Sequence, residues 1–338
     1  MRRDLTDQTI PEAASILAGR AGYLIAAAAR APSVHNTQPW RFRVGKSAIE
    51  LYCDPRRKLR VDPEGREMLI SCGAALFGLR LAVRSLGYLP VVELLPEPRR
   101  TRLLARISLG AAEPTSVAER EMLKALPHRH THRGAFASEP LPAGLLPGLQ
   151  HDALAERATL ALVDRGIAYQ RLAEIVSTVG PRLDLDPRAR VEVRRWSRSA
   201  ASTARDGLPA HAFPATAGRR SGRQPGRLRQ RDFDLGRGLG LLTAEGPDPA
   251  VTAVLLTPGD SRADWLCAGQ ALHRLLLHAA SRWVFASLYT QPLEIAPIRV
   301  LIRDRMALPG TPQMLLQLGL AHTTHATARR PPEELIDS

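Results

Sequence analysis

The sequence contains few cysteines and no long hydrophobic run. Its 338 residues include three cysteines, at the distant positions 53, 72 and 267, so neither a disulfide framework nor a CxxC metal site is expected. The longest uninterrupted apolar segment, Tyr23 to Ala29, is far shorter than the roughly 20 residues that span a bilayer. Met1–Leu5 leads into polar residues, so no secretory signal is expected. These absences predict a cytoplasmic protein without a membrane span.

The motifs of several enzyme classes are also missing. No P-loop, GxSxG or HExxH pattern occurs, and no ordered Ser–His–Asp signature is recognisable. The glycine-rich stretch 236–240 neither matches GxGxxG nor follows a convincing strand, so it is no dinucleotide fingerprint. Sequence patterns therefore assign no catalytic residue and no metal site.

Lysine is rare although the chain is strongly basic. The formal net charge is +14, yet only three of the 47 basic residues are lysines, and the other 44 are arginines. Many alanines and few lysines are typical of codon usage in a GC-rich genome. The arginines are spread along the chain, and their one concentration, 219–231, has no aromatic residue before Phe233 to stack on bases. We therefore expect no nucleic-acid partner.

The composition predicts a globular chain of about two units. Hydrophobic residues make up 44% of the sequence, and the length allows about two domains of ~150 residues. The predicted helices are 11–31, 65–87, 141–157, 168–179, 189–197, 261–281 and 292–306. The predicted strands are 40–44, 49–52, 91–95, 102–108, 159–163, 251–256, 283–287 and 314–318, and the tail from 323 is expected to be irregular.

The predicted boundary between the two units lies near Pro127. Residues 205–240 are rich in Gly, Pro and Arg, which predicts a long excursion that is either a functional lid or disordered. The stretches 71–79 and 266–275 share small residues and leucines at matching positions. Two explanations of that similarity stay open: an internal duplication, or two core helices that resemble each other by chance.

The segment 31–42 has the most distinctive pattern. It reads Ala-Pro-Ser-Val-His-Asn-Thr-Gln-Pro-Trp-Arg-Phe, a polar loop between two prolines that follows a helix and precedes a strand. Such a loop can present side-chain and backbone hydrogen-bonding groups to a flat polar heterocycle, and the prolines restrict its freedom before binding. The alternative is an Asx/Ser turn that only ends the helix and begins the hairpin.

The pattern Ala-Pro-Ser-x-x-Asn-x-Gln-Pro-Trp resembles the flavin-loop signature of the nitroreductase family, at the same place in the order of elements. The layout of the chain resembles the two-module, Acg-like branch of that family. The resemblance is strong at 31–42, fair at 65–88, 128–136 and 261–294, and weak at 180–250. It implies an α+β nitroreductase-like fold in which two fused modules, 1–126 and 127–338, let a monomer mimic the usual dimer, with 205–240 as a lid-like insert.

The same resemblance implies an FMN-dependent oxidoreductase. FMN is the expected cofactor, NAD(P)H the transient hydride donor, and a small nitroaromatic or quinone the acceptor. The flavin-loop residues carried over onto this chain are Pro32, Ser33, His35 and Asn36. A further homodimer of the two-module monomer stays open.

The segment 128–136, His-Arg-His-Thr-His-Arg-Gly-Ala-Phe, is the second candidate. Its alternating histidines suggest a metal site, but no nearby carboxylate or cysteine completes one. Arginine forks suit phosphate oxygens. The stretch resembles the Arg-x-Ser-x-Arg-x-Phe opening of a nitroreductase domain, which implies that its polar residues hold the flavin phosphate and ring edge. The residues carried over on this match are Arg129, His130, Thr131 and Arg133.

Two further stretches resemble flavin-contacting parts of the family. In 287–294 the residues implied beside the flavin ring are Thr290 and Gln291. The tail 327–332 resembles an Arg-Pro tail that reaches the FMN phosphate, which implies Arg329 or Arg330 without deciding between them; the alternative is a solvated basic tail.

The sequence also departs from the usual family pattern. Val34 stands where a second serine is common, and Arg282-Trp283 where a Gly-Leu pair is frequent. An insert such as 205–240 is associated in the Acg-like branch with a closed or flavin-free site. The alternative function is therefore a flavin-binding, sequestering or regulatory protein with little turnover.

Overall fold

The computed structural model describes residues 9–213, 228, 231–239, 250–321 and 325–337, with side chains from residue 15 onward except those of 181–183. Among these residues the helices are α1 (Thr9–Ala29), α2 (Arg66–Ser85), α3 (Val117–Ala125), α4 (Leu145–Ala155), α5 (Ile167–Leu185), α6 (Pro187–Trp196), α7 (Arg262–Ser281) and α8 (Ala296–Arg305). The strands are β1 (Trp40–Val44), β2 (Ile49–Cys53), β3 (Tyr88–Leu94), β4 (Leu103–Ala112), β5 (Thr159–Val163), β6 (Ser197–Arg198), β7 (Leu208–Pro209), β8 (Val251–Thr257), β9 (Val284–Leu288), β10 (Thr311–Leu320) and β11 (Ile336–Asp337). The predicted α+β mixture of helices and strands is confirmed.

Two sheets organise the molecule. The first has the order β11–β1–β2–β4–β3, and its β1–β2 hairpin pairs Trp40 with Cys53 and Val44 with Ile49. The second has the order β5–β8–β10–β9 and is antiparallel throughout. In the first sheet β11 runs parallel to β1, and Phe42 N donates to Leu335 O at 2.8 Å. Residues from the far end of the chain therefore complete the first sheet.

Helices α2 and α7 join the two sheets into one core. Helix α2 packs on β2 and β3, α7 packs on β8 and β9, and the two helices pack against each other. Glycines permit their close approach: a Cβ at Gly269 would lie 2.7 Å from the Ala74 amide nitrogen, and one at Gly73 would overlap the Leu266 carbonyl. The small residues shared by 71–79 and 266–275 thus have a packing role, whether or not a duplication produced them.

Helix α2 is also the helix among the described residues that is long and apolar enough to cross a bilayer. Its apolar residues, including Leu76 and Leu79, are buried in the core shared with α7. A core helix meets the same length and composition criterion as a membrane span, so its apolar character is explained here by packing.

Several predicted elements need correction. The capping box Ser116–Glu119 begins α3, a helix that the prediction missed. The predicted helix 292–306 is a 3₁₀ turn followed by α8, because Pro297 is accommodated in the first turn of a helix but not in the interior of a longer one. Gly144, with φ of 75°, starts α4 later than predicted. The tail is not wholly irregular, since it contains β11. Much of the predicted excursion 205–240 lies outside the described residues.

Burial of His273 on α7 predicts acid sensitivity. The side chain is fully buried, its Nδ1 lies 2.7 Å from Ala74 O, and burial followed by repulsion from Arg129 lowers its pKa to about 3. The unfolded chain then binds the proton more readily between pH 6.5 and about 3, so stability decreases as pH falls through that window by up to ~1.4 kcal/mol per pH unit. Urea unfolding at pH 7, 6 and 5 measures this slope. The His273→Gln variant is expected to show a shallower slope, and an unchanged slope would contradict this assignment.

Candidate functional site

A cavity of about 100 Å³ lies where distant parts of the chain meet. Its walls include the loop 32–35 after α1, the first turns of α2, the segment 131–133, and the segment 288–292 at the end of β9. Seven residues predicted for the site line this cleft cavity: Pro32, Ser33, His35, Thr131, Arg133, Thr290 and Gln291. The structure thus brings together the polar loop and the Arg/His-rich segment, which lie about a hundred residues apart in the sequence.

The loop 31–38 has an unusual backbone. Three of its non-glycine residues have φ between 48° and 55°, in the sparsely populated left-handed region: His35, Asn36 and Gln38. Strain of this kind costs on the order of 1–3 kcal/mol per residue and persists only where the surroundings enforce it. Ser33 Oγ accepts a 3.0 Å hydrogen bond from the Gln38 amide, and Ser71 of α2 holds the loop backbone through another of 3.2 Å. The loop is therefore preformed, and Ser33 is a turn residue as well as a cavity residue.

The Asn36 side chain joins the loop to two other segments and does not line the cavity. Its Nδ2 donates to Gly207 O at 3.0 Å and to Ala328 O at 3.1 Å. The side-chain Oε1 of Gln38, in the same loop, accepts a 2.8 Å hydrogen bond from the backbone amide of Arg330. The loop thus anchors both the segment that begins at 205 and the C-terminal tail.

Strand β9 positions the segment 129–133. Thr131 forms a parallel bridge with Ala286, His132 N donates to Ala286 O at 2.8 Å, and Ser287 Oγ donates to His132 O at 2.9 Å. These bonds place Thr131 and Arg133 at the cavity wall.

Three arginines lie close enough to repel one another, and one of them, Arg133, lines the cavity. Arg129, Arg133 and Arg329 donate only to backbone or hydroxyl oxygens, and none of them has an ion-pair partner within 4.0 Å among the described residues. The Nε atoms of Arg129 and Arg329 are buried and lack a hydrogen-bond partner in the described part of the chain. Unpaired buried cations cost stability unless an anion joins them. We call this set the arginine triad.

The pKa values of the triad show the same lack of an anion. Burial, with repulsion from Arg30 and Arg133, lowers the pKa of Arg129 to about 10. Burial, with repulsion from Arg129 and Arg30, lowers the pKa of Arg329 to about 9. His130 faces the same charges: burial, then Arg129 and Arg329, lower its pKa to about 4. The electrostatics therefore favour a dianion at this place.

The structure separates the two arginines of the tail. Arg329 belongs to the triad, whereas Arg330 pairs with Glu334 at 3.2 Å and lines a different pocket. Of the two, Arg329 is the candidate for binding an anion at the cleft.

The histidines of 128–132 have separate surroundings. His128 stacks on Trp283 at 5.0 Å between ring centroids, and His132 Nε2 lies 3.0 Å from Ala135 O. Within the described residues no group of three His, Cys, Asp or Glu side chains is placed to hold a metal ion.

Buried carboxyl groups line the cavity region, and the sequence analysis missed them. Glu67, in the first turn of α2, lines the cavity, and burial and the charge of Glu294 raise its pKa well above the usual range. Burial also raises the pKa of Glu294, although Arg231 opposes this shift. Burial of the two neighbouring carboxyl groups therefore favours a proton on this pair. The sequence contained little indication of this role, since an acidic residue such as Glu67 is common in the first turn of any helix.

Three described residues of the predicted insert lie at the cleft: Leu208, Arg231 and Phe233. Arg231 pairs with Glu294 and donates from Nη1 to His35 Nε2 at 2.9 Å. Phe233 contacts the His35 ring edge-on at 5.3 Å, and Leu208 lines the same cavity. Because ligand pockets usually measure about 300–1,000 Å³, the remaining cavity of about 100 Å³ is too small for a cofactor ring. The described part of the predicted insert therefore covers the cleft.

Comparison with known proteins identifies the family. No protein-family model matches the sequence. The protein named "Putative NAD(P)H nitroreductase Rv3131" from Mycobacterium tuberculosis H37Rv is 35% identical over 300 residues, which cover 87% of this chain and 83% of that protein. This chain belongs to the NAD(P)H nitroreductase family. Its membership confirms the resemblance found at 31–42.

Two further comparisons extend over much of the chain. "Putative NAD(P)H nitroreductase acg" of the same strain is 29% identical over 315 residues, covering 91% of this nitroreductase-family chain and 92% of the relative. A solved nitroreductase with bound FMN from Desulfitobacterium hafniense DCB-2 aligns over 64% of this chain and 97% of its own, with 14% identity and a TM-score of 0.41.

Proposed function

We propose that this chain is an FMN-dependent oxidoreductase that passes hydride from NAD(P)H to small nitroaromatic or quinone acceptors. The observation that carries the proposal is the arginine triad, because one buried and two half-buried guanidiniums, none with a carboxylate partner among the described residues, match the charge of a phosphate monoester. The names of the relatives and the FMN in the solved nitroreductase point the same way.

The two ends of FMN fit this structure differently. The phosphate end fits the triad, whose buried Nε atoms of Arg129 and Arg329 lack partners among the described residues. The ring end would border Pro32–His35 and Thr290–Gln291, but Arg231 and Phe233 take up that space here. The proposal therefore requires the segment around Phe233 to withdraw when the ring enters.

The residues of the cleft have distinct parts in the proposed reaction. FMN, when bound, supplies the hydride-accepting and hydride-donating chemistry. The strained loop 31–38 offers a preformed edge, which reduces the ordering needed on binding. Glu67 lines the cavity wall, and burial and the charge of Glu294 raise its pKa, which favours a protonated carboxyl group where reduction of a nitro group or quinone consumes protons. Arg231 and Phe233 exclude water from the closed cleft.

Anaerobic titration of the purified chain with FMN tests the proposal. The expected result is a bound flavin spectrum that bleaches on addition of NADPH or NADH and recovers when a nitroaromatic or quinone is added. Absence of flavin binding would overturn the proposal.

A second function is favoured by the closed cleft itself. A protein that sequesters flavin needs the triad and a cleft that closes over the bound ring, and the segment with Arg231 and Phe233, which covers the cleft here, fits the second requirement. Bound flavin that NAD(P)H never bleaches would support sequestration over turnover.

We further propose that one chain supplies both halves of the site, with modules at 1–126 and 127–338. The support is that each sheet packs on its own helix and that the cleft draws residues from both sides of 127. A monomeric mass in solution with one FMN-binding site would support this arrangement.

The contact of Arg231 with Glu294 and His35 is expected to act as a latch. Replacing Arg231 with glutamine removes both contacts, so we expect bound FMN to exchange about ten-fold faster, as measured by stopped-flow flavin fluorescence. Arg237→Gln is the matched control, since Arg237 lies in the same segment and, among the described residues, donates to the backbone of Asp234 and Phe233. Equal exchange rates in the two variants would show that this latch does not control access.

A further inference from the structure

A second pocket, of about 420 Å³, adjoins the segment that covers the cleft. Asp206 lines this pocket and Leu208 lines the cleft cavity, so the segment 205–208 forms a wall of both. Six arginines from five parts of the chain line it: Arg41, Arg56, Arg57, Arg195, Arg198 and Arg330. We call it the arginine pocket; it is separate from the arginine triad.

Positive charge exceeds negative charge in the arginine pocket. Asp54 and Asp206 are the carboxylates of its lining. Asp337, which pairs with Arg41, and Glu334, which pairs with Arg330, do not line the pocket. Even with all four carboxylates counted, two of the six positive charges stay uncompensated. Arg195 is the clearest case: among the described residues it has no carboxylate partner, and its guanidinium donates to a backbone oxygen at 3.2 Å.

Like charges are also held close together here. The guanidinium carbons of Arg57, Arg195 and Arg198 lie 5.9, 5.2 and 5.9 Å from the centroid of the Trp196 ring. Arg330 is only 8% exposed and its Nη1 has no hydrogen-bond partner within the described chain. Burial and repulsion from Arg57 lower the pKa of Arg330. The pocket thus favours an added anion with several oxygens.

We infer that the arginine pocket binds a compact polyanion, the pyrophosphate or triphosphate group of a nucleotide, which competes with Asp206 for Arg57 and Arg198. The volume lies within the usual range of ligand pockets, and guanidinium forks match phosphate oxygens two at a time. Several separated guanidiniums suit a ligand with more than one phosphate. The buried Trp196 ring offers no free face, so the phosphates and not the base provide the recognition.

Asp206 is the resident counter-ion of the pocket. Its carboxylate accepts from Arg57 Nη1 at 3.0 Å and from Arg198 Nη2 at 2.7 Å. The adjacent Gly207 is held by Asn36 through its amide and its carbonyl, at 3.3 and 3.0 Å. A phosphate ligand that displaces the Asp206 carboxylate therefore loosens the wall that the pocket shares with the cleft. Only the loosening of this shared wall rests on the proposed function, because anion binding itself does not involve FMN.

Calorimetric titration with inorganic pyrophosphate tests the site, on the purified full-length chain at about 0.15 M salt, where long-range attraction is screened. The expected result is saturable binding that weakens at least ten-fold in Arg195→Gln, a change that breaks no ion pair. Asp206→Asn is expected to bind pyrophosphate several-fold more tightly, because the competing carboxylate is gone. Arg303→Gln, on the exposed face of α8, is the control for the net charge and is expected to bind as the unaltered chain does.

Each remaining outcome has a definite meaning. No saturable binding, an equal loss of affinity in Arg303→Gln, or a weaker affinity in Asp206→Asn with unchanged thermal stability would overturn the proposal.

Parallel titrations with ATP, NADH and NADPH identify the source of the phosphates, since the affinity for the true ligand also falls in Arg195→Gln. If pyrophosphate accelerates flavin exchange, the arginine pocket and the cleft are coupled through their shared wall. If flavin exchange is unchanged, the two sites are not coupled, but the anion site itself still stands. Failure of FMN binding alone overturns the proposed function and not this site.

Discussion

Replacing Arg329 with alanine is expected to weaken FMN binding by about 1.5–3 kcal/mol, or roughly 10- to 150-fold in Kd, because a hydrogen bond to a charged group is lost. The same change is expected to leave the flavin-free protein as stable as before, or more stable, since it removes a half-buried cation that is repelled by Arg129 and Arg30. A substitution that weakens FMN binding without destabilising the flavin-free protein identifies a residue that serves ligand binding and not the fold. Flavin fluorescence titration and urea unfolding of the flavin-free and FMN-bound forms measure the two effects.

Arg330→Ala is the matched control for Arg329→Ala. Arg330 is the next residue in the chain, but it pairs with Glu334, so its loss is expected to change FMN affinity little. Arg133→Ala is expected to weaken FMN binding by a similar 1.5–3 kcal/mol, since Arg133 lines the cavity. Equal FMN affinity in Arg329→Ala and the unaltered chain would remove Arg329 from the site.

Replacing Gly269 with alanine is expected to destabilise the fold by about 3 kcal/mol or more, at the upper end of overpacking costs. The new Cβ would overlap the Ile70 carbonyl and lie 2.7 Å from the Ala74 amide, and both are backbone atoms of α2 that cannot rotate away. Because α2 and α7 join the two sheets, the cost is expected in the global unfolding transition, measured by urea or thermal denaturation.

Gly22→Ala in α1 supplies the comparison. A Cβ at Gly22 meets nothing within 4 Å, and alanine in a helix interior is better than glycine by about 0.5–1 kcal/mol. This variant is therefore expected to be more stable than the parent. Similar effects of the two glycine substitutions would mean that the helix crossing is looser than the distances indicate.

Much of the fold could be predicted because local patterns were strong. The hairpin β1–β2, strand β5 and the long helices α2 and α7 follow from periodicity and stop signals, within a few residues of the observed bounds. Strand β11 could not be predicted from two residues, because its pairing partner β1 is almost three hundred positions away. Helix α3 could have been predicted, since Ser116 and Glu119 form a capping box.

The candidate site was likewise predictable only in part. Motifs predicted the loop 31–38 and the segment 129–133, and residues 32–35 and 131–133 of these two segments line one cavity. Sequence alone could not choose between Arg329 and Arg330, because the choice depends on which side of the tail faces the triad. Glu67, Glu294 and Arg231 have no local signature, and only tertiary packing places them together.

The parallel pairing of β11 with β1 has a consequence for synthesis. The Arg41–Asp337 contact joins residues 296 positions apart, so at about 5–20 residues per second the ribosome needs roughly 15–60 s to deliver the partner after β1 has emerged. During that time the nascent hairpin presents an unpaired outer edge, which invites pairing with other chains. Aggregation during expression should therefore depend on translation speed and chaperone supply, and a purification tag is better attached before the first sheet than after Asp337.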